Sequence, residues 1–179
     1  MAADEQVILV DEQDRELGAS DKLRAHVEGA LHRAFSVFIF DRAGRLLLQR
    51  RAREKYHSGG LWSNTCCGHP RPGEETAAAA HRRLREEMNV ACELREAFGF
   101  VYRAELDNAL VEHEYDHVFV GELEGSPAPD PSEVEEWKWI DMDELRRELR
   151  DEPSRYSYWL KSVVEGDGWH KLVAPSLAE

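Results

Sequence analysis

The chain has 179 residues, 42% hydrophobic and 33% charged, a balance that suits one compact domain with a core and excludes a disordered or fibrous chain. A formal net charge of −13 makes nucleic acid and anionic membranes poor partners. No apolar run reaches membrane-spanning length and the start, Met1 to Gln6, lacks the basic and apolar regions of a signal peptide, so a soluble, cytoplasmic protein is expected.

In chain order, Gln6 to Val10 reads as a short strand closed by the turn Asp11 to Asp14, and the next stretch, to about Gly29, reads as polar and irregular. Ala34 to Phe40 is rich in β-branched and aromatic residues and turns through Asp41 to Gly44 into Arg45 to Arg50, the pattern of a β-hairpin. Glu74 to Met88 has neither proline nor glycine. Its spacing predicts a helix with Ala77, Ala80, Leu84 and Met88 on a buried stripe, and Arg83 and Glu87 on another face. Phe98 to Arg103 and Val111 to Gly121 read as strands around an Asp107-Asn108 turn, and three prolines in Ser126 to Pro131 require an exposed loop. Trp137 to Ile140 is a last strand, Asp141 caps a helix through Leu149, and Ser154 caps another through Val164.

Three cysteines, Cys66, Cys67 and Cys92, form no paired framework and no CxxC knuckle, which fits a reducing compartment and leaves a thiol free. In Asn64 to Pro70 a glycine between Cys67 and His69 lets the backbone turn so that both side chains enter one pocket beside the following helix. Cys67 is either a small buried hydrophobe or, beside a bound cation, an active thiol with a lowered pKa. Of eight histidines, His57, His81, His113, His117 and His170 read as surface or satisfied side chains, whereas His26, His32 and His69 stand apart by position. Glu112 and Glu114, two apart in a strand, project from one face, toward solvent or toward a site. Joined with the three histidines they would make a nitrogen and oxygen shell for Mn²⁺, Zn²⁺ or Mg²⁺. The cations Lys22, Arg50, Arg51, Arg53, Lys55, Arg82 and Arg83 flank the central motif against an acidic background, an island for a small anionic substrate. Arg51, Lys55 and Arg83 are either exposed or placed to hold a diphosphate with a bridging metal ion. Trp159 packs on the core or offers its ring face to a transient cation.

Gly68, Glu74 and the run Arg82-Arg83-Leu84-Arg85-Glu86-Glu87 resemble the Nudix box, with Arg83 where a glutamate is usual and Asn89 where a glycine is usual. Those departures resemble the type I isopentenyl-diphosphate delta-isomerases, as do Leu31 to Ser36, Thr65 to Pro70, Tyr102 to Ala104, Glu112 to Glu114 and Tyr158 to Leu160. The resemblance runs from about Val7 to Val164. It implies an α/β Nudix fold of mixed central β-sheets flanked by helices, in one domain over residues 1–179 with its core at about 7–164.

The resemblance also implies that His26, His32, His69, Glu112 and Glu114 hold a metal ion, that Cys67 and Glu114 transfer protons, and that Glu87 holds a Mg²⁺ that arrives with the substrate. Lys22, Arg51, Lys55 and Arg83 then match diphosphate contacts, and Tyr102 and Trp159 the catalytic pocket around the hydrocarbon. The implied reaction is isomerisation of isopentenyl diphosphate to dimethylallyl diphosphate, with a small-molecule substrate, no flavin or nicotinamide, no nucleic acid or membrane partner, and a monomer or weak dimer. Two other readings stand beside it, a Nudix hydrolase of a nucleoside or other diphosphate and a diphosphate-binding protein without turnover. No glycine-rich dinucleotide fingerprint supports a flavin-dependent isomerase.

Overall fold

The strongest apolar run forms β3 (His32–Phe40), which is buried on both faces from Ala34 to Phe40, and the rest of the molecule is built outward from it. The computed structural model describes residues 5–173; residues 1–4, which carry most of the signal-peptide reading, and 174–179 lie outside it. On one edge β3 pairs in parallel with β8 (Val111–Glu122) along its whole length. On the other edge it meets β1 (Gln6–Val10), β6 (Cys66–Gly68) and β4 (Leu46–Arg51), all antiparallel. Beyond these lie β2 (Glu16–Asp21) on β1, β7 (Arg95–Glu105) on β8, and β5 (Trp62–Ser63) and β9 (Val134–Ile140) on β4, so the nine strands form one branched, mixed sheet.

Alternation along β3 sorts the core into two layers. Phe35, Val37 and Ile39 pack with Ala79, Ala80, Leu84 and Met88 of the helix Thr76–Met88. Phe38 and Phe40 pack with Val118 and Val120 and with residues of the helices Met142–Asp151, Tyr158–Glu165 and His170–Val173. In chain order, with Lys22–Glu28 as α1, these helices are α2, α3, α4 and α5.

Several sequence expectations change. The stretch expected to be irregular folds as β2 and α1, with Asp21 capping α1 by accepting from the Arg24 N–H at 2.9 Å and Gly29 ending it at φ 67°. β2 is almost wholly exposed and held by its ladder with β1, so it carries no apolar period. The β3–β4 hairpin closes only at Phe40 and Leu46, because β6 takes β3's edge and β5 takes β4's. Ala77 is exposed in the first turn of α2, and the buried stripe is Ala79, Ala80, Leu84, Glu87 and Met88. The proline loop buries Pro127, and its Ala128 and Asp130 N–H groups donate to the Met88 and Glu87 carbonyls at 3.0 and 2.9 Å, satisfying the end of α2. Ser157, not Ser154, caps α4, because Pro153 opens a separate 3₁₀ turn and Tyr156 then runs extended.

Candidate active site

One face of β8 carries Glu112, Glu114, Asp116, Val118 and Val120, all buried. The first three face a site and the last two a core. The β3 ladder sets His32 opposite Glu114, the β7 ladder sets Tyr102 opposite Glu114, and β6 sets Cys67 opposite Ser36. His26 arrives from α1, and His69 follows Gly68 at the end of β6. Gly68 is not in the left-handed region and makes no tight turn. A Cβ there would lie 2.8 Å from the Phe35 ring and 3.2 Å from the Arg83 side chain, so glycine is required for close approach.

His26, His32, His69, Glu112 and Glu114 each bring one donor atom to a point where all lie within 4.8 Å of one another. Nδ1 of His26 faces the Lys22 carbonyl at 2.7 Å and Nδ1 of His32 the Ala30 carbonyl at 2.8 Å. A carbonyl only accepts, so both rings carry a proton on Nδ1 and turn Nε2 inward, where it donates to a carboxylate while protonated and offers a lone pair once that proton is lost. His26 Nε2 lies 2.8 Å from Glu112 Oε1, His69 Nε2 lies 2.9 Å from Glu114 Oε1, and the His32 and His69 Nε2 atoms are 3.2 Å apart. Inward Nε2 atoms that can give up their proton, together with two carboxylates in a buried nest, make a donor set that fits a divalent cation.

The electrostatics of the nest are polarised. Burial pushes the Glu114 carboxyl up, but bonding to His32, Glu112 and the Tyr102 hydroxyl overrides it and holds the group at about 2. Burial and the charge of Glu114 push Asp116 well above the carboxylate range. Burial and the neighbouring His32 push His69 well down, whereas at His26 burial is overcome by the bond and charge of Glu112 together with the Lys22 carbonyl and Glu114, and the pKa is raised.

Cys67 donates to Asn64 Oδ1 at 3.2 Å. Among the protein's own groups, burial and nearby Asp116 push the thiol pKa up against the opposing charge of Arg51. Tyr102 donates its hydroxyl to Glu114 Oε2 at 2.7 Å. Trp159 belongs to the site wall: its Nε1–H donates to Ser63 Oγ at 2.8 Å, and the Arg51 guanidinium lies 5.2 Å from the ring centroid.

The cations divide. Arg50 and Arg53 pair with Glu136 and Glu135, and Arg82 with Glu74, all on the rim. Arg83 reaches Glu87 and Glu133, Lys55 also binds Glu133, and Lys22 pairs with Glu5 at 2.9 Å while lying 5.4 Å from the Tyr56 ring centroid. Arg51 Nε is buried without a partner among the described residues. Glu87 also accepts from the Gln49 amide at 2.9 Å.

Three residues join the site that the sequence pattern does not single out. His57 is buried, meets the Trp159 ring edge-on at 6.1 Å between centroids and reaches Glu112 at 3.7 Å. Its burial comes from distant elements and leaves no local signal. Asp116, bonded by Ser36 at 2.7 Å, continues the period-two series from Glu112, a pattern obscured by Tyr115 and His117 on the opposite, half-buried face. Glu133 comes after the prolines and has no periodic context.

The chain matches the NUDIX domain family over residues 30–161. It is 60% identical to an isopentenyl-diphosphate Delta-isomerase 1 of Aromatoleum aromaticum, covering 90% of this chain and 92% of that one. To isopentenyl-diphosphate Delta-isomerases of Burkholderia multivorans and Serratia proteamaculans it is 56% and 48% identical, over 92% and 96% of this chain and 94% and 99% of theirs. A crystal structure from Deinococcus radiodurans shares the fold at a TM-score of 0.76 and 20% identity, covering 90% of this chain and 98% of that one.

Proposed function

Because the chain belongs to the NUDIX domain family and, within it, to the isopentenyl-diphosphate Delta-isomerases, we propose that it interconverts isopentenyl and dimethylallyl diphosphate as a metal-dependent type I isomerase. The observation that carries the reading is the convergence of His26, His32, His69, Glu112 and Glu114, with the Tyr102 hydroxyl on Glu114 and with Cys67 on β6 opposite Ser36, which bonds Asp116. Burial favours the neutral Cys67 thiol and bonding favours the ionised Glu114 carboxylate, and both feel the same Asp116.

Isomerisation of an unactivated terminal alkene requires a proton on the end carbon, a tertiary cation at the next carbon, and loss of a proton from the neighbouring methylene. Cys67 and Glu114 supply a donor and an acceptor for this without attack on phosphorus, the proton belonging to the pair at each stage. The Tyr102 hydroxyl fixes the orientation of the Glu114 carboxylate. Trp159, anchored through Ser63, and buried His57 wall the hydrocarbon from water, which would otherwise trap the cation as an alcohol. We assign Lys22, Arg51, Lys55 and Arg83 to the diphosphate, and the buried unpaired Nε of Arg51 supports that assignment.

His26, His32, His69, Glu112 and Glu114 would hold Mn²⁺, Zn²⁺ or Mg²⁺, and Glu87 the Mg²⁺ that accompanies the diphosphate. When bound, these ions supply fixed positive charge beside Glu114 and the phosphate oxygens. Hydrolysis is not favoured, since Arg83 stands within the acidic helix and neutralises Glu86 and Glu87. Among the described residues no helix is long and apolar enough to cross a membrane, and with three free cysteines this supports a cytoplasmic setting. The assay is purified protein with isopentenyl diphosphate and Mg²⁺. Dimethylallyl diphosphate without phosphate release is expected, and phosphate release without isomerisation would contradict the proposal.

A further inference from the structure

Each cation assigned to the diphosphate except Arg51 already has a carboxylate partner. Lys22 has Glu5, Arg83 has Glu87 at 2.5 Å and Glu133 at 3.4 Å, and Lys55 has Glu133. Glu133 differs from the other two carboxylates in joining two cations from separate elements, the loop after β4 and α2. Its backbone is fixed from three sides. The Ala52 N–H donates to the Glu133 carbonyl at 3.0 Å, the Glu133 N–H donates to the Asp130 carbonyl at 3.0 Å, and Asp130 is tied to Glu87 on α2 at 2.9 Å. The irregularity in the β4–β9 ladder between Arg50 and Arg51 lies where Glu133 hands over to β9. Both Glu133 and Lys55 are about one quarter exposed, so their charges are only partly screened by water.

We propose that Glu133 is a positioning residue for the diphosphate, the resident counter-ion that holds Lys55 and Arg83 in place and gives them up when an anion arrives together with a divalent ion. The proposal rests on the reading of Lys55 and Arg83 as diphosphate contacts. A diphosphate entering alone must displace the Glu133 carboxylate, which then faces both the incoming charge and Glu87 without a cation of its own. A divalent ion relieves that repulsion. Glu133 thereby makes the site respond to the metal complex of a diphosphate more than to the free anion. Neighbouring Lys55 and Arg83 hold the Glu133 carboxyl below its ordinary range against the upward push of burial, consistent with a carboxylate that stays ionised as their counter-ion.

The test is calorimetric binding of inorganic diphosphate to the intact protein and to Glu133→Gln, with and without added Mg²⁺. Without Mg²⁺ the variant is expected to bind diphosphate roughly 2- to 5-fold more tightly than the wild type, and the gain on adding Mg²⁺ to shrink by a similar factor. Unchanged or weaker metal-free binding would overturn the proposal, and so would a gain from Mg²⁺ equal to that of the wild type. A purely structural role would lower the melting temperature without tightening the anion. If the glutamine variant does not fold, Glu133→Asp keeps the charge but withdraws it from its partners, and a smaller shift in the same direction is expected. Because inorganic diphosphate has no hydrocarbon, this result stands or falls separately from isomerisation by the wild type.

Discussion

The two halves of β8 present the same face to the interior and bury it equally, yet one half is a site and the other a core. Glu112, Glu114 and Asp116 lie in the N-terminal half of β8, with Tyr102 opposite Glu114, while Val118 and Val120 continue the same row into the cluster of Phe38 and Phe40. The neighbouring strand repeats the division, with His32 opposite Glu114 and Ser36 bonding Asp116, and with Phe38 and Phe40 in one cluster with the valines. Backbone geometry decides which positions are buried, and residue identity decides whether burial yields stability or chemistry. Apolar side chains there gain about 25 cal/mol per Å² removed from water, whereas an unpaired carboxylate loses more than it gains. Three carboxyl groups survive in this row because imidazoles, Tyr102 and Ser36 bond them.

That division can be broken from either side. Glu114→Gln removes the ionised member of the pair but keeps its shape, so turnover is expected to fall on the order of 10²- to 10⁴-fold with the melting temperature nearly unchanged, as read by kinetics and calorimetry on one preparation. Phe38→Ala should do the reverse. It leaves a cavity in the core and costs about 3–5 kcal/mol by denaturant titration, while turnover per folded molecule stays near wild type. If Phe38→Ala cut turnover as deeply as Glu114→Gln, the two halves would not be separable.

A smaller effect sharpens the boundary at His57. Burial lowers its pKa to about 3, so the folded state resists a proton that the unfolded chain takes up near 6.5. Its contribution to stability is complete above pH 6.5 and is lost as pH falls toward 3, at no more than about 1.4 kcal/mol per pH unit. His57→Phe should flatten the acid side of the stability profile by that amount. An identical slope in the variant would show that His57 titrates as an exposed residue does.

How much of this is legible in the sequence depends on where each signal lies. β3 and α2 announce themselves by local apolar pattern, and resemblance to the isomerase blocks marks His32, Cys67, His69 and Glu114. α1 does not, because β2 before it is exposed and the helix is short, so resemblance identifies His26 while pattern misses its helix. His57 and Glu133 belong to the site only through contacts with residues far away in sequence, Trp159 and Arg83, and no window of the chain contains both partners. The upward push on the Cys67 thiol is hidden from the sequence for the same reason. Cationic neighbours are visible in the sequence, but the burial that outweighs them is not.

Proton transfer at the polar end of this row is the centre of the account, and deuterium incorporation tests it most directly. Wild-type protein, loaded with metal and given isopentenyl diphosphate and Mg²⁺ in deuterated water, is expected to yield deuterated dimethylallyl diphosphate by proton NMR. Cys67→Ala should bind inorganic diphosphate normally and incorporate no deuterium. Near-normal incorporation by Cys67→Ala would contradict the assignment of the thiol to the proton-transfer pair.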